Sequence, residues 1–371
     1  MRTLILIVLM LVSSPVWAQQ NRPQTPEGPF EYIVEEVTIP VADPDEPEHS
    51  FTLAGTLTIP DPDVFGDGPF VGVVLMSGSG MQDRDSNFFE HKPFMVIADY
   101  LTTRGIAVLR FDDRIVGGST GSAKGLTTQD LAHDGLAAAR YMMAHELIDP
   151  DRVGVMGHSE GGMHVPFVAC EDEDIAFVIS LAGVGVTGAQ LLADQTGVMY
   201  RAGGKDEAYI AGSHRRRMAI FDAIRDGAEE EEILDLIVDL NMFEFGVTEP
   251  NEAMRNASKQ MMGQFTNSWM KSFALFDSRE YWRQIEVPAL IMNGSRDTQV
   301  DAKINLGAIR EALNETERTD YTIIELAGLN HLFQHAKTGL LGEYASIEET
   351  FAPEALALIE AWIRAEIVEL D

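Results

Sequence analysis

The chain has 371 residues, 59 of them Asp or Glu and 27 Lys or Arg, for a formal net charge of −32 with histidines neutral. Charge of that sign argues against nucleic acid and anionic lipid as partners, both polyanions, and suits a protein kept in solution by self-repulsion. Cys170 is the only cysteine, which excludes an intrachain disulfide and leaves burial of apolar residues, 45% of the chain, to hold the fold.

The first stretch, "MRTLILIVLMLVSSPVWA", carries one Arg, a short apolar core from Leu4 to Val12 and a small residue at Ala18. This is the layout of a secretory signal peptide, too short in its core to span a bilayer. The expectation is an exported protein, periplasmic or secreted, with residues 1–18 removed. Residues 19–30, "QQNRPQTPEGPF", are rich in Pro and Gln and read as a linker.

Next, "EYIVEEVTI" and "SFTLAGTLTI" alternate apolar and polar residues, as half-buried strands do. From residue 70 the pattern changes to short continuous apolar runs: "FVGVVLM", "GIAVLRF", "RVGVMG", "AFVISLAG", "PALIMNG" and finally "DYTIIEL". Helical patterns, "FMVIADYLTTR" and "TTQDLAHDGLAAARYMMAHEL", lie between the earlier runs, and "PEALALIEAWIRAEIV" closes the chain. Strands buried on both faces and alternating with helices imply an α/β fold, a mostly parallel sheet covered by helices. Residues 187–281 break the alternation with amphipathic helical stretches only and hold 7 of the 17 methionines. They read as a helical cap inserted into a core formed by 31–186 and 282–371, with Met-rich faces serving first as packing.

The pattern G-x-S-x-G occurs twice, around Ser119 in "GGSTG" and around Ser159 in "GHSEG". A nucleophile elbow needs a strand entering, a sharp turn and a helix leaving. Ser159 has "DRVGVMG" before it and the apolar helical "MHVPFVAC" soon after, whereas Ser119 leads into the loop "SAKGLTTQD". Ser159 is therefore the candidate nucleophile. A serine hydroxyl needs a general base, and in this arrangement the acid and then the histidine follow in chain order. His164 falls on the outgoing helix and His214 in the cap, which leaves "LNHLFQHAKTG" after the last strand. His331 is preferred to His335 because it lies nearer the strand end. An H-x-x-x-H pair could also suggest a metal, but it lacks the Glu of a zincin motif and a third ligand nearby.

"NGSRDTQVD" offers Asp297 and Asp301, and Asp297 is the closer to its strand. Its carboxylate would hold the His331 tautomer and stabilise the imidazolium. For the oxyanion, one backbone N–H should come from Glu160 at the helix N-terminus and one from "MSGSGMQDRD", with Ser79 the first choice and Gly80 or Met81 open. Asp83, Arg84, Asp85, Asp112, Asp113 and Arg114 read as a charge network under that loop, or else as surface pairs.

Together, "SGSGMQDRD", "LRFDDRIVGGSTG", "GHSEGG", "GSRDTQV" and "LNHLFQHAKTG" resemble the α/β-hydrolases. Within that superfamily the chain, from about residue 50 onward, is similar to bacterial carboxylesterases near the serine aminopeptidase and dienelactone-hydrolase-like groups. The resemblance implies the triad Ser159, Asp297 and His331. Two departures stand out: Ser77 where many relatives carry His, and Ile115 where R-G-x-G is commoner. The expected activity is cleavage of short or medium acyl or aryl esters through an acyl-enzyme, on a small-molecule substrate and without a cofactor or metal, since no P-loop, dinucleotide fingerprint or C-x-x-C is present. An aminopeptidase on the same triad and a catalytically silent binding protein are the rival readings.

Overall fold

The computed structural model describes residues 21–42 and 50–368, so the expected signal peptide lies outside the described residues. The strands are β1 (Ile33–Val41), β2 (Phe51–Ile59), β3 (Phe70–Met76), β4 (Ala107–Phe111), β5 (Ile148–His158), β6 (Val178–Leu181), β7 (Ala289–Gly294) and β8 (Tyr321–Leu326). They form one sheet in the order β1-β2-β4-β3-β5-β6-β7-β8, in which β2 pairs antiparallel with both neighbours and every other pairing is parallel. Every residue of β3, β4, β6 and β7 is buried, as their unbroken apolar runs require, whereas β1 and β8 at the edges are not.

After β2 comes the single turn α1 (Pro62–Phe65). Helices α2 (Pro93–Thr102) and α3 (Thr128–Met143) follow β3 and β4. Pro93 starts α2 where a missing N–H costs nothing. A capping box starts α3, with the Thr127 hydroxyl accepting from Asp130 N while the Asp130 carboxylate accepts from Thr127 N. Helix α4 (Glu160–Glu171) leaves β5, and the chain then builds α5 (Gly188–Ala202), α6 (Glu207–Arg225), α7 (Glu230–Phe245), α8 (Glu252–Phe265), α9 (Ser268–Leu275) and α10 (Ser278–Trp282) before returning to β7. Helices α11 (Ala302–Asn314), α12 (Leu341–Tyr344) and α13 (Pro353–Ile363) complete the α/β arrangement. One apolar cluster lies where α3 and α4 cover the sheet, and a second where α2 and α13 cover it, so both faces of its central strands meet helices.

No strand interrupts residues 187–281, as the amphipathic pattern predicts. The insert has an apolar cluster of its own running from Ala189 to Ala274, with Ile220, Phe221, Ile237, Leu240 and Phe265 at its centre. Its far boundary differs from the expected one. Helix α10 spans the 281/282 division and belongs to the core: Trp282 is fully buried in the main cluster and Ser278 Oγ donates to Val184 O at 2.7 Å.

The expected linker is also a correction, because its described part is docked. Arg22 donates to Ile347 O (2.7 Å), Phe89 O (2.8 Å) and Ala345 O (3.1 Å). Gln24 donates to Phe351 O at 2.7 Å and accepts from the Thr350 and Phe351 amides. Polar composition suggested a free segment, but here the polar groups satisfy backbone atoms of two loops that have no ladder of their own. His91 joins the same loops: Nε2–H donates to Tyr344 O at 3.3 Å, and Nδ1 lies 3.0 Å from Thr350 Oγ1. Burial, helped by the nearby Arg22 charge, lowers the His91 pKa to about 4.

Because the unfolded chain takes up this proton near pH 6.5 and the folded one only near 4, stability is lost as pH falls through that window. A shift of this size is worth about 2 kcal/mol between pH 8 and pH 5. Denaturant titrations at the two pH values are therefore expected to show a smaller stability difference in His91→Gln than in wild type, by about that amount.

Candidate active site

Ser159 sits between β5 and α4 with φ 58° and ψ −115°, a backbone that L-residues avoid. It occupies the N-cap of α4, yet its side chain makes no capping bond, so the hydroxyl is available for other chemistry. The flanking glycines are required by close approach: a Cβ on Gly157 would stand 2.0 Å from Gly161 O, and one on Gly161 would stand 2.4 Å from Met76 O. The strand end and the helix start thus cross at contact distance, and this crossing holds the corner.

His331 lies in the loop after β8 and Asp297 in the loop after β7, 34 residues apart in sequence, with Nδ1 2.7 Å from Oδ2. The other Asp297 oxygen accepts from the Gln299 and Val300 amides, each at 2.8 Å. This carboxylate is therefore buried with both oxygens engaged, and it turns the imidazole so that Nε2 is the free nitrogen. His331 and Ser159 line one cavity of about 720 Å³. Among the described residues Ser159 Oγ makes no hydrogen bond.

The rivals from the sequence go elsewhere. Ser119 Oγ donates to Asp112 O (2.7 Å) and accepts from Ala54 N (2.9 Å), a staple within a loop that no helix directly follows. His335 is exposed and pairs with Glu349 and Glu354, each at 3.0 Å. Asp301 caps α11 by accepting from Ile304 N. His214 pairs with Asp194 in the cap. Among the described residues no group of three His, Cys, Asp or Glu is arranged to hold a metal.

The α4 N-terminus presents the Glu160 amide beside Ser159, where the first turn of a helix has no internal acceptor. Ser79, Gly80 and Met81 line the cavity opposite, and Gly80 has φ 95°. The next amide, Gln82 N, is already committed to Asp113 Oδ2 at 2.8 Å, so the loop donors end at Met81.

Beneath this loop the expected charge network is present in part: Asp112 and Asp113 are buried, Arg84, Asp85 and Arg114 are half-buried, and Asp83 accepts amides of its own loop. Arg84 makes a two-pronged contact with Asp112 (3.1 and 2.8 Å), and Asp112 also accepts from the Arg84 and Gly118 amides. Arg110 pairs with Asp85, and Arg114 holds both oxygens of Asp134. Asp113 has no cation. Its oxygens accept from Ser77 Oγ (2.9 and 3.0 Å) and Gln82 N, which gives the departure at Ser77 a physical role. Burial pushes the Asp113 pKa up to about 7, with these donors opposing and the nearby Asp134 and Glu160 charges adding to the rise.

His158 precedes Ser159 and so falls outside the order in which acid and then histidine follow the serine, yet it lies at the site. Its Nε2–H donates to His331 O at 2.8 Å, a tautomer fixed because a carbonyl only accepts, and the two rings lie 4.7 Å apart. Burial and the neighbouring His331 lower its pKa to about 3, so it is a neutral brace on the His331 loop. The one signal for it was its place inside "GHSEGG". Trp269 and Phe273 from α9 and Leu191 and Leu192 from α5 also wall the cavity, and nothing in local sequence marked them.

Strand order 1-2-4-3-5-6-7-8, the elbow after β5, and an acid and a histidine after β7 and β8 are now all in place. The chain has the α/β-hydrolase fold. Solved structures agree. An esterase of Pyrococcus furiosus, Pf2001, superposes with a TM-score of 0.54 at 12% identity over 90% of this chain and 92% of that one. The α/β-hydrolase GrgF of Penicillium superposes at 0.52 with 14% identity, over 90% of this chain and 99% of that one. In sequence, the prolyl oligopeptidase family matches residues 93–218, which include the elbow of this hydrolase fold. Esterase EstD of Thermotoga maritima is 36% identical over 117 residues, 32% of this chain and 27% of that protein. The chain thus aligns with about a quarter of the length of the curated relatives it matches.

The second departure, Ile115, has a visible backbone cost. It has φ 62° and is 51% exposed, so a β-branched residue occupies a left-handed position suited to glycine. Ile115→Gly removes a penalty of about 1–2 kcal/mol and adds roughly 0.5–1 kcal/mol of chain entropy. The urea midpoint of this variant is expected to rise, by about 0.5–1 kcal/mol of stability, with the slope unchanged.

Proposed function

We propose that this chain is an exported serine hydrolase that cleaves carboxylic esters of short or medium acyl or aryl groups through an acyl-enzyme on Ser159. The observation that carries the reading is the buried His331–Asp297 bond at a cavity that Ser159 also lines. In this mechanism Ser159 Oγ attacks the ester carbonyl while His331 Nε2 takes its proton, and Asp297 stabilises the imidazolium. The Glu160 amide and a loop amide at Ser79, Gly80 or Met81 bind the oxyanion, a contribution of about 10² to 10³ in rate per donor. His331 then protonates the departing alcohol, and water, deprotonated by the same nitrogen, releases the acid.

The chemistry of the cavity supports a neutral substrate. In a chain with 59 acidic residues, none of the described residues lining it is Asp, Glu, Lys or Arg. Leu126, Leu131, Val184, Leu191, Trp269 and Phe273 give it an apolar wall, and its volume suits a small ligand. The prolyl oligopeptidase match favours the aminopeptidase reading instead. That reading needs carboxylates facing the substrate amine, and the acidic run of the cap, Glu229 to Glu232 with Asp235 and Asp239, is exposed away from the cavity wall. The signal-peptide layout of residues 1–18 supports export.

Purified protein is expected to hydrolyse p-nitrophenyl esters, with kcat/KM highest for short or medium chains and exceeding that for aminoacyl naphthylamides. Ser159→Ala should lower it by at least about 10³-fold and abolish labelling by a fluorophosphonate. Faster naphthylamide cleavage would turn the assignment to the peptidase.

A further inference from the structure

The first residue of α4 does more than offer an amide. The Glu160 side chain is 1% exposed and lies behind the cavity wall formed by Ser79 and Trp269. Its Oε1 accepts from Trp269 Nε1 at 3.0 Å and from Thr128 Oγ1 at 2.5 Å, while its buried Oε2 has no partner. Thr128 Oγ1 in turn lies 2.8 Å from His164 Nε2, and Thr128 N donates to Ser272 Oγ of α9 at 2.8 Å. His164 Nε2 is 3.7 Å from Glu160 Oε1. Four segments meet here: the elbow, α3, the cap through α9, and the oxyanion loop, whose Ser79 hydroxyl stands near enough to favour the ionised carboxylate.

Stability alone does not call for such a group. No Lys or Arg offsets its burial, the Asp113 charge is close enough to be raised by it, and one oxygen is left bare. An apolar residue of similar size would avoid that desolvation cost. What its oxygen adds to the direct Thr128 N–Ser272 Oγ bond is a single acceptor at the elbow shared by α3 and α9.

We propose that the Glu160 side chain is a positioning residue for the reaction at Ser159, tying Trp269 and Thr128 to the elbow so that the cap is seated and the two oxyanion amides are held at their working separation. The residue that supplies one oxyanion donor through its backbone thereby sets, through its side chain, the wall that carries the other. The inference rests on the serine-hydrolase reading. It concerns hydrogen-bond acceptance and not charge: Gln keeps an oxygen for Trp269 and Thr128 and places its amide where Oε2 already stands unpartnered, whereas Leu accepts nothing.

The test is steady-state kinetics on p-nitrophenyl butyrate with active sites counted by fluorophosphonate labelling carried to completion. Glu160→Leu is expected to lose roughly 10- to 100-fold in kcat with KM within about threefold, and Glu160→Gln to recover most of that loss. Thr128→Val, which removes one donor from a residue outside the cavity wall, is expected to lower kcat several-fold. The Glu160→Leu/Thr128→Val double variant should be no slower than Glu160→Leu, since both act through one oxygen. Should Glu160→Leu fail to fold, Thr128→Val alone carries the same split between kcat and KM. A kcat within twofold of wild type in Glu160→Leu, a Gln variant as slow as Leu, effects that multiply, or an unchanged kcat in Thr128→Val would overturn the proposal. A wild type that turns over no ester would instead bring down the reading beneath it.

Discussion

The site depends on a crossing of backbones. Where β5 ends and α4 begins, the two segments touch so closely that Gly157 has no room for a Cβ, and the end of β3 at Met76 and Ser77 leaves none at Gly161. The residue between them is forced to φ 58°, and its hydroxyl is turned away from the helix end that a serine at an N-cap would ordinarily satisfy. Strain of this kind costs about 1–3 kcal/mol and persists only where packing over-determines it. Here the sheet supplies that packing, because β5 is a central strand and Ser159 N is held by Leu181 O of β6 at 2.9 Å.

The second constraint is desolvation. Acidic side chains abound on the surface, but Asp112, Asp113, Asp134, Glu160 and Asp297 are buried around the site. Their partners are of several kinds, Glu160 having Trp269 and Thr128. Asp112 and Asp134 have guanidinium partners, Asp297 has two amides and an imidazole, and Asp113 relies on a hydroxyl and one amide. Their pKa directions follow: Arg84 holds Asp112 low, whereas burial dominates at Asp113 and also at Asp134, which rises to about 6. Buried carboxylates place the loop after β3 by accepting its amides and hydroxyls, while no Asp, Glu, Lys or Arg among the described residues lines the cavity.

The cap contributes on the same principle. Its own apolar cluster makes it a body of helices about two to five turns long, and it reaches the candidate site through α9, where Trp269, Ser272 and Phe273 meet Glu160, Thr128 and the main core, and through α5, where Gln195 donates to Gln299 O beside Asp297. Cavity walls and elbow are thereby parts of one packing unit.

Much of this was legible in the residues themselves. Unbroken apolar runs separated by helical periods determine which segments become sheet and which cover it, and the elbow of "GHSEGG", followed in order by Asp297 and His331, is readable because strand ends in a parallel sheet converge on one edge. Local pattern could not reveal contacts whose partners lie far apart in the chain. His158 on the His331 carbonyl, Trp269 on Glu160, Arg22 on the loop at Ile347 and α10 on the core are each decided by what fills the space beside them. A periodicity records which face of a segment is apolar, and only the assembled fold determines which polar group is left to satisfy another.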